Sequence, residues 1–492
     1  MQVSPSGKVS AMDFSGVNHV HPVGGVAITI AAAIATMVRR VHVPIVLLTV
    51  ACFIPSAQRV VIAGADFNFV RLMVLVCLAR IAVRGELSGI RWNVIDTAMA
   101  VGACAKILCA PMLRGEVSDL ISAVGLNFES FGAYIIVRAT VRSIDDARLL
   151  VLWAAGLCAL AVPFFLVERT TGRNLFAIFG GIAEFTVIRE GRLRCQGPFA
   201  HAILAGCHFV AWIPLWIALV FSTERVSRML GILGIASGFL IVFFCASSTP
   251  LVALIFGCAV WMIFPVRAHL RLLWVLGLVL ILTLHFTMKH PVWHLISRID
   301  LVGGSTGYHR YRLIEAAVSR FSEWWLFGTP STSHWGTQLF DVTNQFILEG
   351  VRGGVWALIA LCAAIVFAFA SIGADLRKIA ARRQLPSSRA SGVAAGLRND
   401  EFFVFAIGAT LAAHCAIFLA VSYFGQTLLI WLFIIGIAGA HRQWSRAPQP
   451  LTRPIGSLEN RVPNSFEWAR RRPGSDRRRE VEPLPIINKE AS

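Results

Sequence analysis

Long apolar stretches alternate with short polar ones almost from end to end of this chain. Apolar runs fall near 23–38, 43–63, 67–83, 92–112, 120–138, 149–167, 199–221, 229–246, 249–265, 271–288, 354–374, 402–422 and 427–440. Most are long enough to cross a hydrocarbon core of about 30 Å. Lipid offers no partner to an unpaired peptide group, and no barrel-type alternation is visible, so each run predicts a helix. The expected fold is all-α: a polytopic membrane protein with about 12–13 transmembrane helices, the first run being short. One large loop, 289–353, interrupts the series. Residues 1–22 form a polar N-terminal segment, 23–440 the membrane domain, and 441–492 a basic, Pro-rich tail expected to be disordered.

Composition agrees: 56% of the 492 residues are hydrophobic and 15% charged. The net charge of +18 would suit nucleic acid, but its placement points to membrane topology. Arg377, Lys378, Arg382, Arg383, Arg389 and Arg398 crowd 375–400, and Arg470–Arg472 and Arg477–Arg479 lie in the tail. Such clusters anchor the cytoplasmic side of polytopic proteins, where anionic lipid attracts them. Nucleic acid is therefore not an expected partner. The 11 cysteines, among them Cys52, Cys77, Cys104, Cys158 and Cys258, show no paired spacing. They read as small core residues, with no disulfide framework and no metal site. The polar start has neither n-region nor cleavage site, so no removable signal peptide is expected.

Positive residues set the orientation. Arg39-Arg40, Arg80 to Arg91, Arg138 to Arg148, Arg225 to Arg228, Arg267 to Arg271, the basic loop 375–400 and the tail fall on one side, the cytoplasm. Alternation then puts 168–198 and 289–353 in the periplasm. Loop 168–198 breaks the usual rule by carrying Arg169, Arg173, Arg189, Arg192 and Arg194. Balanced by Glu168, Glu184 and Glu190, it would be a solvated charged loop; otherwise its guanidinium groups need an anion. In the second loop, Leu313, Ala316, Ala317 and Phe321 recur at helical spacing. They predict a short amphipathic helix over 308–321 with Arg310 and Arg312 in its first turn. Trp324-Trp325 would rest at the membrane interface. The plainer alternative is a surface-lying helix with snorkelling arginines. Within the spans, Lys106, Arg59, Asp66, Arg71, Glu129 and Arg138 are either functional groups or interhelical ion pairs.

Arginines on two outer loops suit one chemistry well. Transfer of a sugar from a polyprenyl diphosphate builds charge on the departing diphosphate. Many such enzymes hold that charge with a metal on clustered carboxylates, but no Asp-x-Asp occurs here. Guanidinium groups are planar, permanently charged and bidentate to phosphate, and can replace the ion. No metal and no cofactor are then expected.

An ordered set of motifs sharpens this reading. Arg194-x-x-Gly197-x-Phe199-x-His201 is followed by Arg310-x-x-Leu313 with Ala316-Ala317, by Gly328-Thr-Pro, by Asp341-Val-Thr343-Asn344-Gln345-Phe-Ile, and by Gly353-Gly354. Over about residues 165–375 the chain resembles the O-antigen ligase and O-antigen polymerase superfamily of bacterial inner-membrane proteins, including its exopolysaccharide polymerases. That resemblance implies a helical membrane fold with a large periplasmic loop, and an undecaprenyl-diphosphate-linked glycan as substrate. Its two essential periplasmic arginines correspond to Arg194 and Arg310. The ligases carry a His-Asn pair where this chain has Thr343-Asn344. The absent histidine favours a polymerase-like member over a ligase that moves glycan to lipid A core or another acceptor.

The general base stays open. His201 and His309 can accept a proton near neutral pH. Asp341 and Glu315 are alternatives, or arginine partners. Asn344 would orient an acceptor hydroxyl or satisfy a turn. Catalytic candidates are thus Arg194, Arg310, His201 and Asn344. Arg192, Arg312, His309, Glu315, Asp341 and Thr343 are candidates for substrate binding. Expected partners are the lipid-linked glycan, the bilayer and other polysaccharide-assembly proteins. A secondary transporter or flippase is the rival class, but no internal repeat supports it.

Overall fold

Polar residues at the edges of apolar runs act as caps and fix where helices begin. Asn93 accepts from the Ile95 N–H at 2.9 Å while Asp96 accepts from the Asn93 N–H at 2.7 Å, a reciprocal pair that starts one long helix. Ser143 accepts from the Asp146 N–H at 3.0 Å to start the next but one, which Gly172 ends in the left-handed conformation.

The structure, a computed structural model, describes residues 18–62, 65–298, 307–386 and 391–444. Most of the expected tail, most of the 1–22 segment and parts of loops 289–353 and 375–400 lie outside the described residues. The first elements are α1 (Pro22–Met37), α2 (Val43–Phe53), β1 (Arg59–Ile62), β2 (Ala65–Asn68) and α3 (Phe69–Val83). There follow α4 (Val94–Arg114), α5 (Val117–Thr140), α6 (Ile144–Thr171), β3 (Ile188–Arg189) and β4 (Arg192–Leu193). Next come α7 (Ala202–Val210), α8 (Ile213–Val220), α9 (Arg225–Cys245), α10 (Ser248–Met262) and α11 (Leu270–Thr287). The last are α12 (Gly307–Ser319), α13 (Phe321–Trp324), α14 (Gln345–Gln384), α15 (Ser391–Phe418) and α16 (Gln426–Trp444).

The described chain is mostly helical. Eight helices are long and apolar enough to cross a membrane: α4, α5, α6, α7 continued by α8, α9, α11, α14 and α15. Four shorter apolar helices, α1, α2, α10 and α16, accompany them. One apolar core joins residues of α2, α5, α6, α7, α8, α15 and α16. Helix α11 has no buried residue, as a helix surrounded by lipid would.

Three expectations need correction. The run 43–63 is not one helix: α2 stops at Phe53 because Ile54, preceding Pro55, takes extended backbone. The chain then forms an antiparallel hairpin pairing Arg59 with Asn68 and Ile62 with Ala65. The basic segment 375–400 is largely helical, since α14 continues to Gln384 and α15 begins at Ser391. Trp324 does not present its ring outward, whereas Trp325 is exposed. Trp324 is buried and donates its indole N–H to the Ala317 carbonyl at 2.8 Å.

The charges within or beside spans are ion-paired. Arg138 forks onto Asp96, with Nε–Oδ1 at 2.7 Å and Nη2–Oδ2 at 2.9 Å. Arg71 meets Glu129 at 3.3 Å, Arg59 meets Asp66 at 2.6 Å and Lys106 meets Glu349 at 2.9 Å. At one end of the bundle, Arg80 pairs with Glu86, whose carbonyl accepts from Arg142 at 2.6 Å. Nearby Arg148 meets Asp400 at 2.6 Å, while Arg267 and Arg383 share Glu401 at 2.6 and 2.5 Å. These contacts gather basic segments distant in sequence onto one end, as helices that alternate direction require.

Candidate functional site

At the other end, the segment after α6 is folded around one carboxylate. Buried Glu168 accepts from the Gln196 N–H at 2.9 Å, the Gly197 N–H at 2.8 Å and the Thr186 hydroxyl at 3.0 Å. Asn174 holds the Gly197 carbonyl at 2.8 Å, and Arg169 donates to the Leu193 carbonyl at 3.1 Å. Gly197 has φ +55°, and a Cβ there would collide with the Phe165 ring, so glycine is required. Glu168 and Arg169 are therefore the scaffold of this loop and not solvated charge.

The β3–β4 hairpin pairs Arg189 with Arg192, and the Arg194 N–H donates to the Val187 carbonyl at 3.0 Å. In that register Arg189, Arg192 and Arg194 share one face of the ribbon. Arg194 is half-buried, and its Nε has no hydrogen-bond partner among the described residues.

The second arginine segment is α12. Leu313, Ala316 and Ala317 pack on Trp324, Trp335, Leu339, Val342 and Val351 in a small separate core. This orients Arg310 inward, where it is only 8% exposed. Its Nε donates to the Ala420 carbonyl at 3.0 Å and its Nη2 to the Thr249 hydroxyl at 2.9 Å. Arg310 does not snorkel, whereas Phe321, expected on the apolar face, is exposed.

Two connections tie the arginine segments together. Thr249, which holds Arg310, lies five residues after Phe244, whose carbonyl accepts from the Cys195 N–H at 3.1 Å. Fully extended, five residues span at most about 18 Å. The α15–α16 connection is the second bridge. Ala420 accepts from Arg310, while the Gln426 amide donates to the Pro198 carbonyl at 3.0 Å. Burial lowers both guanidinium pKa values from their ordinary range, and the charge of Arg189 lowers each further. Neither Arg194 nor Arg310 has a carboxylate partner among the described residues.

His201 precedes α7 with its ring edge-on to Phe424, centroids 6.1 Å apart. His201 reaches the surface, yet the protein around it lowers its pKa by desolvation, the charge of Asp341 raises it and that of Arg194 lowers it, so all three share one electrostatic environment. Asp341 itself is exposed. The neighbouring Cys195 thiol is pushed up to about 12 by burial, which leaves it no nucleophilic thiolate.

The other candidates take varied places. Asn344 is buried as the N-cap of α14, accepting from the Ile347 N–H at 3.1 Å and donating to the Leu419 carbonyl at 3.2 Å. That makes it a turn-satisfying residue which also holds the α15–α16 connection. The Thr343 hydroxyl is buried without a partner among the described residues. Arg192 is exposed on the hairpin, His309 is half-buried beside Arg310, and Arg312 packs against Gly336. Glu315 is exposed and accepts from the Trp293 indole at 2.9 Å, so it does not partner Arg310.

No protein-family model matches this chain, and no curated protein does. The site must therefore be read from its own chemistry. Reasoning from sequence named Arg189 in the arginine-rich loop but not among the site candidates, although its charge reaches both site arginines. It quoted Gln345 within a motif without giving it a role, and it passed over Gln426, a neutral amide that carries no pattern of its own.

Proposed function

We propose that this protein is a membrane glycosyltransferase that joins undecaprenyl-diphosphate-linked oligosaccharide units, as an O-antigen or exopolysaccharide polymerase does. One observation carries the reading: two buried or half-buried arginines from distant segments, bound by the same two connections, lack any carboxylate among the described residues. A buried guanidinium is costly without a counter-charge. A diphosphate supplies that charge with matched bidentate geometry. In this reading all twelve or thirteen apolar segments cross the bacterial inner membrane, with α3 and the four shorter helices added to the eight long ones. The arginine end then faces the periplasm and the carboxylate-paired basic end the cytoplasm.

In the transfer step the acceptor hydroxyl attacks the anomeric carbon as the bond to the diphosphate oxygen breaks. Arg194 and Arg310 hold the charge developing on the leaving diphosphate. His201 takes the hydroxyl proton, with Asp341 close enough to favour the imidazolium that forms. A single displacement inverts the anomeric centre and requires no protein nucleophile. The arginines replace a divalent ion in this scheme, so a chelator should leave transfer intact.

Glycan chain length in a strain lacking the gene tests this function. Single repeats on the acceptor in place of long chains are the expected result. Undelivered long polymer would make the protein a ligase, and an unchanged glycan profile would remove the reading altogether.

A further inference from the structure

Helix α14 is broken just after its first two turns. Gly353 has φ −147° and ψ 23°, Gly354 has φ 63° and ψ −169°, and the Val355 N–H turns aside to the Trp325 carbonyl at 2.7 Å. Residues 345–352 therefore form a short helical piece that the long remainder of α14 does not hold in line. Something else must fix its orientation. Gly353 lies against Lys106 of α4, and the Lys106 ammonium meets the Glu349 carboxylate at 2.9 Å, both groups largely buried.

From that ion pair a polar chain runs to the site. The other Glu349 oxygen accepts from the Gln345 amide nitrogen at 2.8 Å. The Gln345 amide oxygen accepts from the Tyr423 N–H at 2.8 Å. Three residues before Tyr423, the Ala420 carbonyl receives Arg310 Nε. The Gln345 amide has only one workable orientation. Tyr423 offers a donor, so the amide oxygen must face it, and the amide nitrogen must then find an acceptor. The Glu349 carboxylate supplies that acceptor with one oxygen while its other oxygen meets the Lys106 ammonium. A buried ion pair is seldom the most stable filling for such a place, so its effect on orientation is the more telling property.

We propose that Glu349, held by Lys106, is a positioning residue for Arg310, acting through Gln345 and the 419–423 connection. This rests on the diphosphate reading of the site. The substrate remains untouched by either group; they set where the connection presents its carbonyl, and hence where the guanidinium sits.

The test is affinity of the purified full-length protein in nanodiscs for farnesyl diphosphate, a short prenyl diphosphate. Glu349→Gln and Gln345→Leu should each weaken binding about tenfold, while each adds less than about twofold to Arg310→Ala. Lys106→Met should behave like Glu349→Gln, and Lys106→Arg should restore binding. Thermal melting identifies any variant that fails to fold, and Gln345→Leu keeps the ion pair intact as a second route to the same result. Wild-type affinity in both Glu349→Gln and Gln345→Leu would overturn the proposal, as would a full tenfold loss on top of Arg310→Ala. Absence of binding by the wild-type protein is a different result: it would overturn the diphosphate reading and this proposal with it.

Discussion

Arg138 and Arg310 are both buried, and their surroundings differ in one respect. Arg138 is 1% exposed and forks onto the carboxylate of Asp96, which is itself fully buried. Arg310 is 8% exposed and, among the described residues, meets a carbonyl and a hydroxyl. The contrast extends beyond this pair. Arg59, Arg71, Arg80, Arg148 and Arg267 each have a carboxylate partner, whereas Arg194 and Arg310 have none among the described residues. A charge whose partner is built in belongs to the architecture. A charge left with neutral partners is, in the proposed function, the one that takes an anion from outside.

Stability should separate the two kinds of arginine most sharply. Arg138→Ala leaves the Asp96 carboxylate buried and unpaired, and should cost about 3–5 kcal/mol. Thermal melting in detergent would show this as a large drop. Arg310→Met, without ligand, removes an uncompensated charge and should change stability by less than about 1 kcal/mol in either direction. A comparable drop in both variants would erase the distinction between them.

Activity should respond in the opposite sense. Arg194→Ala and Arg310→Ala should each lower transfer by at least about 100-fold, as loss of a charge-stabilising donor does. Lysine at either position should recover only part, because it cannot reproduce the fork. Full activity in Arg310→Ala at normal protein levels would contradict the account.

The pH profile tests His201. A base must be neutral to act, and partial desolvation by the surrounding protein lowers the His201 pKa below the ordinary imidazole value of about 6.5. Transfer should therefore hold steady as pH falls to that value and decline only below it. Asp341 raises the His201 pKa, so Asp341→Asn should move the decline further toward acid. A shift toward alkali would remove Asp341 from the site. The smallest effects belong to Arg192 and Arg312, one exposed and one packed on Gly336, where alanine should cost no more than about fivefold.

The sequence carried the helices because lipid demands apolar length, which needs no tertiary knowledge. It drew attention to Arg194 and Arg310 because arginine in loops expected outside the membrane violates a strong bias. It did not carry the hairpin after Pro55, where the three apolar residues of β1, Val60, Val61 and Ile62, resemble the end of a helix. Nor did it carry the role of Glu168, which as a letter balances charge and in the fold accepts three hydrogen bonds. Asn344 was readable either as a turn residue or as an acceptor-binding group, and only its bond to Leu419 decides what occupies its amide. The roles of Gln345 and Gln426 stayed hidden for a related reason: Tyr423 and Pro198, which they bond, lie more than seventy residues away.

Farnesyl diphosphate binding by the wild-type protein, the two alanine variants at Arg194 and Arg310, and their double variant tests the shared site most directly. The account predicts that each single change removes nearly all binding and that the double change is scarcely worse, as for groups acting as a unit. Wild-type affinity in either single variant, or losses that add in full, would mean that the two arginines do not share a diphosphate.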